Sequence, residues 1–416
     1  MQLRYALAML CTIGGITFAI AQQQPPLLPP GLPPAPATGP MLCKGNYLTP
    51  EQGKAVLEFD LANFATTRAA WEAHANVIRK QIQDGMGLSP LPKHGPLNGI
   101  VHSLRRHDGY TVENVAFESI PGFYATGNLY RPTTGQPPFP VILSTHGHGN
   151  AANLDGHPRF SESMQDRCAS LARMGAIVLS IDMFGWGDSL KQVTYQDHLS
   201  TLAMPMQLWD NIRAIDFLTS LDGVDPKRIA VTGESGGGTQ AFLLTALEPR
   251  ITVSVPVVMV SSYFFGGCAC ESGRPIHRSE EAFANNTDVA ALAAPRPILV
   301  VSDGKDWTQN VPQVEYPFLK KIYALYDADD RVVNVHLASE GHDYGPSKRD
   351  AMYRFLADQF HLDLTAVRNA AGNFDESHVT VEPASVMRVW DADHPLPANA
   401  LHSGEAVAAA LREAQR

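Results

Sequence analysis

Several features are scarce or missing in this chain of 416 residues, and each narrows what it can be. No run of lysine or arginine is present, and acidic residues outnumber basic ones, 42 to 32, for a formal charge of -10. A chain of that balance has nothing to track a phosphate backbone, so nucleic acid is excluded as an expected partner. No internal repeat is found, which argues against a propeller or solenoid. Beyond the amino terminus, no apolar stretch reaches the roughly 20 residues that span a bilayer. Cysteine is sparse at five, and the Cys268-x-Cys270 pair has no second Cys/His pair near it in sequence, so no metal and no cofactor are expected. A disulfide or two buried thiols is the expected state of that pair, and Cys43 and Cys168 leave three pairings open.

What is present begins with an export-type leader. Arg4 precedes an apolar stretch from Tyr5 to Ile20 that ends in the small-x-small triplet Ala19, Ile20, Ala21. Residues 1–21 therefore read as a signal peptide cleaved before Gln22, implying a secreted or periplasmic protein with no stable membrane span. Residues 22–40 are crowded with proline and read as a solvated linker outside the fold. Residues 41–109 carry helical signals: Thr49, Pro50 and Gln52 make a capping box with a first-turn proline, and Trp71, Ala75, Ile78 and Ile82 share a helix face.

From Tyr110 the period changes. Strands are expected at Tyr110 to Glu118 and Phe123 to Tyr130, as an antiparallel pair. Short continuous apolar runs follow at Val141 to Ser144, Ala176 to Ile181, Arg228 to Thr232, Ile251 to Met259, Pro297 to Val301 and Val332 to Leu337. Runs of this kind are buried on both faces, the mark of a mostly parallel central sheet flanked by helices. The crossover helix carrying Leu208, Ile212, Ile215 and Thr219 fits that α/β class. The main domain is read as residues 110–372, with an N-terminal helical extension before it and a C-terminal extension, 373–416, folding back with a short helix capped by Ser403.

The feature that carries chemistry is Gly233-Glu234-Ser235-Gly236-Gly237, placed between an apolar strand and a helical run. On such a turn only glycines leave room around the serine, whose hydroxyl is lifted out of the sheet edge. A serine hydroxyl needs a base and a carboxylate to become a nucleophile. His342 follows the last strand and precedes the closing helix, and is the expected base. Asp306, in the loop after Pro297 to Val301, is the expected acid, with Asp303 and Glu271 as alternatives. The backbone amides of Gly236 and His148, the latter in the loop His146-Gly147-His148-Gly149, are the expected oxyanion donors. Trp186, in the loop Asp182 to Ser189, and Trp307 are candidate pocket residues, Trp186 equally one that packs beneath the nucleophile turn.

Taken together, PGFYATGNLYRP, the HGHG loop, GESGGG, SDGKDWTQ and EGHDYGPSKR resemble the α/β-hydrolase superfamily, and within it the bacterial acetyl-xylan-esterase and dienelactone-hydrolase-like group. The loop at Asp182 departs from the carbohydrate-esterase pattern, with Phe184 and Trp186 where arginine and glutamine are usual. The resemblance implies hydrolysis of carboxylic esters on a small molecule or a polysaccharide, with deacetylation of plant polysaccharide as the expected reaction, by a Ser-His-Asp triad through an acyl-enzyme and without a cofactor. A prolyl-oligopeptidase-like peptidase and a catalytically silent binding protein are the alternatives. Oligomeric state is not legible.

Overall fold

The computed structural model describes residues 11–13, 16–18, 28–32, 45–149, 157–279 and 282–416. Nine strands form one sheet: β1 (Ile100–His107), β2 (Tyr110–Ile120), β3 (Phe123–Pro132), β4 (Phe139–Thr145), β5 (Ile177–Ile181), β6 (Val224–Glu234), β7 (Val253–Val257), β8 (Ile298–Asp303) and β9 (Val332–Leu337). Their spatial order is β9-β8-β7-β6-β4-β5-β3-β2-β1. The strands from β4 to β9 pair in parallel, and β1, β2 and β3 extend the sheet in antiparallel fashion from β5.

The apolar runs work as a period-2 device with both faces covered. Val141, Leu143, Leu179, Val231 and Val300 enter one buried cluster, while Ile142, Val178, Ala230, Leu299 and Val301 enter the other. On the second face lie α3 (Glu162–Arg173), with Met164, Cys168 and Leu171, and α8 (Pro346–Phe360), with Met352 and Leu356. On the first lie α4 (Ala203–Thr219), α5 (Gly236–Leu247), α6 (Asn286–Ala291) and α7 (Glu315–Ala324). Each fully buried aliphatic side chain contributes about 1.5–3 kcal/mol, so this three-layer sandwich supplies most of the driving force for folding.

Two further helices, α1 (Pro50–Asn63) and α2 (Arg68–Met86), sit against the first face through Val56, Ile78 and Ile82. Thr49 and Gln52 form the capping box of α1. Arg79 of α2 donates to the carbonyls of Ala246 and Leu292, clamping the helix to the ends of α5 and α6.

Two differences from the sequence reading have physical causes. β1 precedes the expected first strand; it is half exposed, and its Arg105 and His107 reach Glu382 at 2.8 and 2.7 Å, so an apolar pattern could not reveal it. The stretch 28–32 lies in the expected solvated linker, yet Leu28 and Leu32 pack on the core, because two leucines amid the prolines find an apolar surface. The rest of the linker, 22–27 and 33–40, falls outside the described residues. So does the expected signal except for Cys11–Ile13 and Ile16–Phe18, which pair antiparallel. The chain after 373 runs back along β1 and β2, and α9 (Gly404–Ala414), capped by Ser403, inserts Val407 and Leu411 into the first cluster.

Candidate active site

The carboxyl ends of the parallel strands meet on one rim: Thr145 of β4 pairs with Gly233 of β6, Glu234 with Val257 of β7, and Asp303 of β8 with Leu337 of β9. Ser235 leaves β6 with φ 55° and ψ -122°, a conformation that costs a non-glycine residue about 1–3 kcal/mol. Its amide is held by the carbonyl of Val257 at 3.1 Å, and its own carbonyl accepts the first bond of α5, from Thr239, at 3.0 Å. The flanking glycines are sterically required. A Cβ on Gly237 would stand 2.8 Å from the Thr145 carbonyl oxygen, and one on Gly147 would stand 3.1 Å from the Ser235 Cβ. The HGHG loop thus passes directly against the Ser235 turn.

Ser235 and His342 line the same open cleft of about 820 Å³, together with Gly147, His148, Glu234 and Arg349. No residue of α1 or α2 borders it, so those helices do not shape the cleft. The His342 Nδ1 lies 2.7 Å from Oδ2 of Asp306. Asp306 is nearly inaccessible, and its other oxygen accepts from the amide and hydroxyl of Thr308, both at 2.6 Å. One carboxylate oxygen is thereby fixed by its own loop and the other left for the imidazole. The alternative acids face elsewhere: Asp303 lies 3.5 Å from the buried Lys348, and Glu271 lies 3.6 Å from the His148 Nδ1.

The pocket tryptophans differ. Trp186 is buried and does not border the cleft; it packs beneath it against His148, His157, Tyr195 and His198. Trp307 stacks on Phe264 and stands over His342, with ring centroids 3.8 and 4.5 Å apart.

Residues beyond the sequence reading hold the frame. Glu234 accepts from the Gly147 amide at 3.2 Å and pairs with the buried Arg167 at 3.0 Å, which also donates to the Thr145 carbonyl. This ties the Ser235 turn to the HGHG loop. Arg159, fully buried, bridges Asp182 and Asp188 at 2.6 Å each and fixes the loop after β5. The signal available in sequence was only that the residue before Ser235 is charged.

Around the HGHG loop the histidines separate. His146 is saturated: its Nδ1 donates to the Gly147 carbonyl, its Nε2 accepts the Met183 amide, and burial lowers its pKa to about 4. His157 and Asp182 lie near it, but the His157 Nδ1 accepts the Arg159 amide and Asp182 is taken by Arg159, so this trio is a hydrogen-bonded core. His148 is different. Its Nε2 faces His198, Cys268 and Cys270, the two cysteines being joined as a disulfide. The CxC pair, which has no Cys/His partners along the sequence, therefore acquires two in space. Cys168 is free and buried, and burial pushes its thiol up to about 11; Cys43 lies outside the described residues.

A serine on a strained strand-to-helix turn, with an acid and a histidine on the loops after the last two strands, is an arrangement of the α/β-hydrolase fold. Comparison with known proteins agrees. The family model for acetyl xylan esterase matches residues 104–265, a stretch that includes Ser235. The solved structure of methylesterase BT1017 superposes with a TM-score of 0.79 at 40% identity, covering 88% of this chain and 81% of that one. The 4-O-methyl-glucuronoyl methylesterase 1 of Wolfiporia cocos (strain MD-104) is 26% identical over 349 residues, 73% of this chain and 79% of that protein. YtaP of Bacillus subtilis (strain 168) is 27% identical over 184 residues, so the match spans 40% of this chain and 59% of that relative. The chain belongs to the α/β-hydrolase esterase family that includes methylesterase BT1017.

Proposed function

We propose that the protein is a serine methylesterase that cleaves methyl-esterified uronic acids of plant polysaccharide. The observation that carries the triad is the 2.7 Å contact between His342 and Asp306 in a rim loop whose histidine shares a cleft with Ser235. In this reading the His342 Nε2 takes the Ser235 proton as Oγ attacks the ester carbonyl, and Asp306 holds the tautomer and stabilises the imidazolium. The tetrahedral oxyanion is received by the amides of Gly236 and His148. Collapse expels methanol, protonated by His342, and leaves the uronate acyl group on Ser235. Water, deprotonated by His342, then releases the uronate and restores the serine. No cofactor takes part in these steps.

The substrate class rests on the relatives' chemistry, two of which are methylesterases by name. Acetyl esters are the second reading, favoured by the description of the matching family model. Methanol and acetate release from methyl-esterified uronate oligosaccharides and from acetylated xylan, with peptide amides as a further arm, decides between them. Methanol release that vanishes in Ser235→Ala supports the proposal; acetate release alone, or amide cleavage alone, contradicts it. Export through residues 1–21 completes the reading, and a mature chain beginning at Gln22 is the expected product. No helix among the described residues is long and apolar enough to cross a membrane.

A further inference from the structure

His148, His198, Cys268 and Cys270 reach one point from three loops. His148 follows β4; His198 ends the short helix Tyr195–His198 beyond β5; the cysteines lie after β7, at the start of the helix Ala269–Ser272. Their two Nε2 and two Sγ atoms all lie within 4.8 Å of one another. The His148 Nε2 is 3.0 Å from that of His198, 3.0 Å from Sγ of Cys270 and 3.4 Å from Sγ of Cys268, and the His198 Nε2 is 3.7 Å from Sγ of Cys268. A tetrahedral ion with nitrogen at about 2.0 Å and sulfur at about 2.3 Å would set its nitrogens about 3.3 Å apart and each nitrogen about 3.5 Å from each sulfur, near these four distances, while the two sulfurs, joined in the structure, would part to about 3.8 Å.

The protons point the same way. The His198 Nδ1 faces the Phe184 carbonyl at 2.8 Å and must carry the hydrogen, so its Nε2 is a bare acceptor. The His148 Nδ1 faces the Glu271 carboxylate at 3.6 Å, and Glu271 is itself held by the amides of Gly267 and Cys268. With its hydrogen toward Glu271, His148 also presents a bare Nε2, and two lone pairs then confront each other at 3.0 Å; with the hydrogen on Nε2 instead, His148 donates to His198 and its Nδ1 offers no proton to the Glu271 carboxylate. A disulfide between Cys268 and Cys270 leaves that conflict standing. A cation removes it and uses both sulfurs. The arrangement of outer partners, a carbonyl behind one imidazole and a carboxylate behind the other, is the one that orients metal-binding histidines.

We infer that these four residues hold a zinc ion beside the nucleophile turn. The Cys268–Cys270 disulfide is first opened by a thiol reductant, which supplies two electrons and two protons and leaves as its own disulfide; on binding, each cysteine thiol then gives up its proton to solvent and both imidazoles bind as neutral ligands through Nε2, so two protons are released per ion. Two nitrogens and two sulfurs select zinc over harder cations, and four protein ligands make the site a structural one. A Cβ on Gly236 would stand 2.9 Å from Cε1 of His148, so the imidazole lies against the first residue of α5. The ion ties the loops after β4, β5 and β7 to that point and fixes the His148 backbone. The four are positioning residues here, and the inference rests on donor geometry rather than on ester chemistry.

The test uses the full chain, purified without chelator or metal-affinity resin, beside Ser235→Ala and the double variant Cys268→Ser, Cys270→Ser. Elemental analysis is expected to find about one zinc per chain in the first two and none in the third, with X-ray absorption showing two sulfurs at about 2.3 Å and two nitrogens at about 2.0 Å. Chelation should make two thiols reactive and lower kcat by about 10–100-fold. Should the double variant not fold, the wild-type absorption spectrum and thiol titration decide alone. A wild-type chain that takes up no zinc under reducing conditions, that holds a different metal in its place, or whose peptides show the 268–270 disulfide with zinc bound elsewhere overturns the inference. Zinc retained by Ser235→Ala separates this outcome from the fate of the esterase reading.

Discussion

On one side of Ser235, His342 and Asp306 stand 36 residues apart, on loops that follow two neighbouring strands of the sheet. On the other side, His148 meets His198 across 50 residues and Cys268 across 120, on loops that follow β4, β5 and β7. The first arrangement needs only adjacent strands and a carboxylate steadied by its own loop. The second needs three loops held at once, which is why Arg159, Arg167 and their carboxylates are buried on that side. In the proposed mechanism chemistry falls on the simply built flank, and positional accuracy comes from the elaborately built one.

Substitutions separate the two flanks most sharply in turnover. Ser235→Ala should lower kcat by about 10⁴–10⁶-fold without unfolding the chain, measured by methanol release and circular dichroism. Asp306→Asn should cost about 10³–10⁴-fold, whereas Asp303→Asn and Glu271→Gln should each retain most activity in the zinc-loaded enzyme. An equal loss in all three carboxylate variants would erase the distinction between the flanks.

Stability separates them in the opposite direction. Arg159→Met leaves Asp182 and Asp188 buried without their shared cation, and should destabilise by about 3–5 kcal/mol in denaturant titration. His342→Asn, on the exposed flank, should change stability by less than about 0.5 kcal/mol.

A control remote from both flanks comes from Asp60 of α1 and Asp288 of α6, which face each other in the core. Burial raises both carboxyls, that of Asp288 to about 7, with the neighbouring acid reinforcing the rise at Asp60. A carboxyl raised on folding keeps its proton while the unfolded chain loses it. The stability it brings is therefore full in acid and is lost as pH rises from the ordinary carboxylate range through about 7. Asp288→Asn should flatten the fall in melting temperature between about pH 5 and about pH 8 while leaving turnover unchanged. An unchanged slope would contradict the assignment of that fall to the buried carboxyl pair.

How much of this was legible in sequence follows the same division. Ser235 and His342 stand out in sequence because each sits in a local strand-loop-helix context, and Asp306 because its loop follows the next-to-last strand; the fold puts the first two on one cleft and the third against His342. The sheet was legible from apolar runs that alternate between two buried faces. β1 was not, since an exposed edge strand of arginine and histidine carries no apolar period. Nor was the meeting of Cys268 and Cys270 with His148 and His198, because only the folded loops bring those donors together. Trp186 shows a subtler limit: a loop position at the strand rim does not tell whether a ring lines the cleft or fills the space beneath it.

The central claim is that Ser235 is the nucleophile activated by His342. A fluorophosphonate probe, followed by peptide mass analysis, tests it most directly. The account predicts stoichiometric labelling on Ser235, fast in the wild type and abolished or slowed by orders of magnitude in His342→Ala. Labelling at another serine, or undiminished labelling of Ser235 in the His342 variant, would contradict it.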